Sequence, residues 1–379
     1  MLNIGIIGYG GRMNTVASEI LKTGKAKITA ITDIDIEAVK KNYNLDDSVR
    51  YYTDAEEMIK NEQLDGLAIG TRCDSHTEYT LLAAKYNLPL FLEKPVCTSY
   101  EDLAKLKAIP KEYGEKVVVS FPLRLSQTVL YVKEIIDSGR LGKIEHVQAY
   151  NNVPYARGYY HKWYRDESIT GGLFLQKATH DLDYICYLLG DLKPVRVCAM
   201  KSKQIFKGDK PAGLLCENCA EARECPESPE NVRKNNDGYI IGKYCCFATD
   251  TGNEDSGSAI VEFDSGMHAV YSQDFITRNG AGKRGARLIG YKGTVEFDWF
   301  SDEVTVYHHL ENATERHTLA KCSEGHFGGD AKLVKSFIDV MLGEAKSVST
   351  LRDGILSAEL CLGAKKSSEE HIFVDIEQY

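Results

Sequence analysis

The first third of the chain alternates short apolar runs with amphipathic stretches. Residues 2–7 (Leu-Asn-Ile-Gly-Ile-Ile) form the kind of run that fills a strand buried on both faces, and it ends at glycines. Residues 13–22 follow with Val16, Ala17, Ile20 and Leu21 at helical spacing. The β-branched run 27–32 predicts a second strand ending at Asp33. The rhythm then repeats, with helices expected over 37–43, 55–61, 78–86 and 100–113 and strands over 66–69, 89–92 and 116–121. Strands alternating with helices at short spacing imply a parallel sheet covered on both faces, a doubly wound domain over residues 1–121.

After Phe121 the pattern changes. A helix over 126–138, a strand over 144–150 and a helix over 180–189 are followed by long alternating runs at 257–263, 267–276, 286–290, 293–299 and 303–310. Asp264-Ser265-Gly266 and Tyr291-Lys292-Gly293 are hairpin turn signals between them. Residues 122–350 therefore read as an α+β domain with a largely antiparallel sheet, carrying a cysteine-rich insertion at about 203–246. Residues 351–379 read as a helix and strand packing back on the core.

A chain of 379 residues is long enough for two domains, and its 43% hydrophobic and 27% charged residues are those of an ordinary globular protein. A net charge of -9 argues against nucleic acid as a partner, because polyanion binders present a basic face. No apolar run reaches the roughly 18 residues of a membrane span. The opening residues lack a charged leader and cleavage site, so the expected location is the cytoplasm.

Gly8-Tyr9-Gly10-Gly11-Arg12-Met13 lies between the first strand and the first helix. Glycines there let backbone amides approach a pyrophosphate at the helix amino terminus, where the dipole favours an anion. Met13 stands where the dinucleotide fingerprint has a third small residue. Asp33, about 20 residues on, is placed to accept both ribose hydroxyls, which favours NAD over NADP; the alternative is a cap on the helix after it.

Eleven cysteines, odd in number and mostly scattered, argue against a secreted disulfide framework. Cys216, Cys219 and Cys225, with the downstream pair Cys245-Cys246, have the spacing of a tetrahedral thiolate cage, and a structural zinc on Cys216, Cys219, Cys225 and Cys245 is expected. An iron–sulfur cluster or reduced thiols are the alternatives. Cys73, Cys97, Cys186, Cys198, Cys322 and Cys361 read as ordinary core or loop residues. Tyr155, Tyr159, Tyr160, His161, Trp163 and Arg165 form an aromatic, basic loop suited to a sugar ring or to a subunit contact.

Glu93-Lys94-Pro95 ends a core strand at the carboxyl edge of the sheet, where such sheets bind ligands. Together with the glycine turn, with Gly139-Arg140-Leu141-Gly142, with Gly171-Gly172 before His180-Asp181-Leu182-Asp183, and with the closing helix, it resembles the Gfo/Idh/MocA family of sugar and inositol dehydrogenases. The resemblance covers essentially the whole chain. It implies a cofactor site formed by Gly8, Gly10, Gly11, Arg12, Met13, Asp33, Thr71, His76, Glu93 and Lys94. It also implies that Lys94 and His180 face the substrate hydroxyl, as proton-transfer and alkoxide-stabilising groups. Substrate contacts are expected from Arg124, Tyr160, Trp163, Arg165, Gln176 and His180. The chain departs from the family at Gln176, where an aspartate often orients the histidine; Lys177 beside it is a candidate second electrophile.

The resemblance thus implies NAD-dependent hydride transfer on a ring carbon of a sugar, glycoside or cyclic polyol. Redox-assisted glycoside cleavage with recycled NAD, and a non-catalytic NAD-binding sensor, are the alternatives. An exposed antiparallel sheet implies pairing into a homodimer or homotetramer.

Overall fold

The computed structural model describes residues 1–234, 242–321 and 325–377. The chain divides into two compact units, Met1–Gln127 with the described part of 322–359, and residues 128–321 with the described part of 360–378.

The first unit is built on six strands, β1 (Leu2–Ile7), β2 (Ala26–Thr32), β3 (Arg50–Tyr52), β4 (Gly66–Ile69), β5 (Leu90–Leu92) and β6 (Val117–Val119). They pair in parallel in the order β3-β2-β1-β4-β5-β6. This is the doubly wound dinucleotide-binding order, whose switch point lies between β1 and β4. Every residue of β4, β5 and β6 is buried, as a sheet covered on both faces requires. The stretch expected as one helix over 100–113 is two, Tyr100–Lys107 and Lys111–Gly114. Pro110 lacks the amide that would continue the ladder.

A helix that the sequence reading passed over, Gly329–Leu342, packs Leu333, Val334, Phe337 and Ile338 into the same core as Ile4, Ile6 and Phe91. The spacing of those four residues was the available signal. The boundary expectation is corrected accordingly: residues 325–350 belong with the first unit, not with the substrate domain.

The second unit is a nine-stranded sheet. Its strands are β7 (Ile144–Asn152), β8 (Pro194–Ser202), β9 (Ser256–Phe263), β10 (His268–Asp274), β11 (Lys283–Gly290), β12 (Gly293–Asp298), β13 (Glu303–His308), β14 (Thr314–Thr318) and β15 (Val374–Asp375). The order is β14-β13-β12-β11-β7-β10-β9-β8-β15. All pairings are antiparallel except β7 with β10. Alternation sends Val147, Ala149, Val261, Tyr271, Ala286 and Leu288 to a buried face. The opposite face carries Met200 and Ile260, which are 73% and 45% exposed. Among the described residues no helix is long and apolar enough to cross a membrane.

Candidate active site

In the first unit, β1 runs into a turn that only glycine can make. Gly8 has φ +81, and a Cβ on it would stand 2.7 Å from Thr71. Over Gly10 and Gly11 no atom of the described residues lies within 4 Å of where a Cβ would be. Helix Gly11–Lys22 begins there without a side-chain cap and without an acid in its first turn, so its amides face open space. A cradle of bare amides at a positive helix end fits a dinucleotide pyrophosphate.

Met13 is fully buried, and a Cβ on Gly70 would meet its side chain at 2.5 Å. The small residue that the fingerprint needs for close packing has moved from position 13 to the end of β4. Asp33 accepts from the Tyr9 amide at 2.7 Å and the Asp35 amide at 2.9 Å. Asp35, not Asp33, caps the following helix, by accepting from the Ala38 amide. The capping alternative for Asp33 is thereby removed, and its carboxylate, half-exposed beside the glycine turn, fits a ribose.

His76 is buried, with Nδ1 2.7 Å from the Pro95 carbonyl and Nε2 3.2 Å from that of Thr71. Burial lowers its pKa. It ties the loop after β4 to the loop carrying Lys94, which is half-buried. The Arg12 guanidinium is used up inside the protein. Its Nε donates to Glu93 at 2.8 Å, Nη1 and Nη2 donate to Asp330 at 2.9 and 2.7 Å, and Nη2 reaches Ser120 Oγ at 3.0 Å. His326 adds a contact to Asp330 at 3.0 Å. Burial pushes Asp330 up, but His326 and Arg12 hold its carboxyl well below the usual range. Arg12 and Glu93 therefore fix the glycine turn against the ends of β5 and β6. Asp330, 318 residues away, had no signal in the sequence. Arg124 is spent likewise, on the Val348 carbonyl at 2.9 Å.

In the second unit, Gly171 and Gly172 both have positive φ, +76 and +91, and lead into a turn of π-helix, Phe174–Ala178, ahead of helix Thr179–Leu189. The Glu254 carboxylate accepts from the Leu173 and Phe174 amides at 3.2 and 3.0 Å, a cap supplied from far along the chain. The wider turn buries Gln176, Lys177 and His180 together, each no more than 6% exposed. Lys177 Nζ donates to Tyr155 Oη at 3.0 Å and sits over the Tyr155 and Tyr159 rings at 4.8 and 5.1 Å. Asp181, fully buried, accepts from Asn151 at 2.8 Å, Tyr271 at 3.0 Å and Arg284 Nε at 2.8 Å. Arg284 went unnoticed in the sequence; the signal was an arginine at an inward register position of β11.

Other residues of the aromatic loop have structural duties. The Tyr160 ring is fully buried and its hydroxyl donates to the Glu254 carbonyl at 2.6 Å. Arg165 is clamped on Asp250 at 2.9 and 2.6 Å and on Thr251 at 2.7 Å. Trp163 is half-buried and stacks on Tyr164 at 3.9 Å.

In the cysteine-rich segment a bridge pairs Leu215 with Tyr244, and the neighbouring Cys216 and Cys245 share a buried cluster. Burial first, then Cys245, Cys225 and Cys219, push the Cys216 thiol up to about 11. Among the described residues, however, no three histidine, cysteine or acidic side chains are arranged to hold a metal. The arrangement does not support the expected zinc. Ion pairs do the holding instead: Glu227 receives Arg157 at 2.8 Å and Arg278 at 3.5 Å. Cys73, Cys97 and Cys361 are buried and Cys186 and Cys198 partly so, as expected, while Cys322 lies outside the described residues.

Comparison with known proteins agrees with this geometry. The myo-inositol 2-dehydrogenase of Thermotoga maritima is 23% identical over 381 residues, spanning 100% of this chain and 99% of its own. The inositol 2-dehydrogenase of Azotobacter vinelandii is 29% identical over 195 residues, 50% of this chain and 55% of its own. Levoglucosan dehydrogenase in complex with NADH and levoglucosan superposes with a TM-score of 0.76 at 16% identity, over 100% of both chains. Residues 2–121 match the oxidoreductase family with an NAD-binding Rossmann fold, and residues 129–296 match the GFO/IDH/MocA C-terminal domain. With the glycine turn, the strand order and both domain matches in agreement, the chain belongs to the Gfo/Idh/MocA family of oxidoreductases.

Proposed function

We propose that this chain is an NAD-dependent dehydrogenase acting on a ring hydroxyl of a sugar, glycoside or cyclic polyol. The observation that carries the reading is the glycine turn with its open amide cradle and the adjoining Asp33, at the switch point of a six-stranded doubly wound sheet. The kinship with a full-length myo-inositol 2-dehydrogenase supports the polyol class. Asp33 would repel a 2′-phosphate, which supports NAD over NADP.

Bound at the cradle, the nicotinamide supplies the hydride acceptor. The chain's own residues supply position and proton handling. Gly8, its own amide bonded to the Thr32 carbonyl at 2.8 Å, makes the turn, and Gly10 and Gly11 offer amides to the pyrophosphate, while Met13, Thr71, His76 and the Arg12–Glu93 pair keep the turn and the Lys94 loop fixed. Lys94 donates to the reacting oxygen and stabilises alkoxide character, and His180 shares the handling of the hydroxyl proton. Gln176 and Trp163 contribute substrate contacts, and Lys177 adds positive charge near the reacting oxygen. The exposed apolar face bearing Met200, Ile260 and Phe373 supports pairing with a second copy into a dimer or tetramer.

The test is a screen of sugars, inositols and glycosides for NAD reduction, with Lys94→Ala alongside. Substrate-dependent NADH formation that falls at least about 100-fold in Lys94→Ala is expected. Undiminished turnover in that variant rules the assignment out. Tightly bound NAD with bond cleavage and no net NADH turns the reading to redox-assisted glycoside cleavage.

A further inference from the structure

The second unit holds a buried cluster whose charges do not balance. Lys177 is 6% exposed and has no carboxylate within ion-pair distance among the described residues. Arg284, also 6% exposed, gives Nε to Asp181, while its Nη2 is buried without a hydrogen-bond partner among them. The carboxylate bonded to Arg284, Asp181, is already used by Asn151 and Tyr271 as well. Two buried cations thus face one committed anion. Burying an uncompensated cation is costly, so such a site is kept for an anion that forms or arrives.

Tyr155 Oη takes the Lys177 hydrogen bond and feels the Arg284 charge as well. Lys177 reaches it from the π-turn, Arg284 on β11 and Asp181 on the following helix act on it through their charges, and Tyr159 flanks Lys177 from the short helix Gly158–His161. Tyr155 is half-buried, whereas Tyr160, Tyr184 and Tyr271 are fully buried. We propose that Tyr155, hydrogen-bonded by Lys177 and in the field of Arg284, shares the proton handling with His180 by accepting the substrate hydroxyl proton during hydride transfer. The proposal rests on the dehydrogenase reading and adds to it a second proton-handling group in the second unit.

The step balances. The substrate O–H bond breaks and its proton joins the ionised Tyr155 oxygen. The C–H bond breaks with its electron pair leaving as hydride to oxidised nicotinamide dinucleotide, and the carbonyl π bond forms. Neutral Tyr155 then loses its proton to solvent. Burial pushes this phenol up, but the Lys177 ammonium, the Arg284 guanidinium and the Lys177 hydrogen bond bring it below the usual phenol value. Lys177 is held above its ordinary value against its own burial, so the proton stays on nitrogen.

Two readouts test this. In an ultraviolet titration of cofactor-free protein, one phenol should ionise below the usual tyrosine value of about 10. That phenol should be missing from Tyr155→Phe and should move upward in Lys177→Met. In kinetics, Tyr155→Phe should lower kcat by about 10²–10⁴-fold, with the KM for NAD unchanged and the basic group missing from the pH profile of kcat/KM. An active wild type with Tyr155→Phe within twofold of it, or a titration unaltered in that variant, overturns the proposal alone. A wild type inert toward every carbohydrate overturns the dehydrogenase reading and this proposal with it. Should Tyr155→Phe fail to fold, Lys177→Met carries both readouts.

Discussion

The two units hold arginines of opposite character. Around Arg12, every guanidinium nitrogen has an acceptor, with Glu93, Asp330 and Ser120 sharing the donors. In the second unit, Asp181 serves Arg284 alone, Lys177 rests on the Tyr155 hydroxyl, and Arg284 Nη2 has no acceptor among the described residues. Both clusters are buried and both lie beside a family motif, so burial and neighbourhood do not separate them. Saturation does. A cation with all its donors matched fixes the backbone around it, whereas an incompletely matched one retains a field with which to stabilise charge that develops in a reaction.

The largest effect expected from this contrast is at Arg12. Arg12→Met takes the guanidinium from two buried carboxylates, leaving Glu93 without it and Asp330, 5% exposed, with His326, and should cost roughly 3–5 kcal/mol of stability, read by chemical denaturation. Lost activity in a variant of unaltered stability would give Arg12 the chemical role here assigned to the other cluster. Glu227 comes next, as a saturated carboxylate in the second unit. Burial raises its pKa, but His161, Arg278 and Arg157 lower it from 4.5 to about 2. A folded-state pKa below the unfolded one adds stability above the unfolded value, and this is lost as pH falls through the folded one. Unfolding free energy should therefore drop by about 3 kcal/mol between roughly pH 4.5 and 2, and Glu227→Gln should flatten that limb in an acid denaturation series. The smallest stability change is expected at Lys177. Lys177→Met removes an unmatched buried cation and should leave stability within about 1 kcal/mol of wild type or above it, although kcat falls. A loss as large as that at Arg12 would show that the second cluster is structural too.

How much of this could be read beforehand depended on distance along the chain. The glycine turn, Asp33 and the Lys94 loop were legible because a strand, a turn and a helix state their chemistry within a few residues. His180 was legible only through the family motif around it. A zinc on Cys216, Cys219, Cys225 and Cys245 was expected from spacing, yet spacing does not fix the directions in which sulfurs point, and among the described residues no metal-holding group formed. Arg165 looked like a substrate contact by type and position, but Asp250, 85 residues on, occupies it.

The sequence by itself determined the doubly wound first unit, the antiparallel second one, the cofactor cradle and its acid, because apolar period and turn chemistry are local properties. Only the tertiary structure decided which charges are matched. Asp330 reaches Arg12 across 318 residues and Arg284 reaches Asp181 across 103. A charged group's role depends on its partners in space, and the chain order does not contain them.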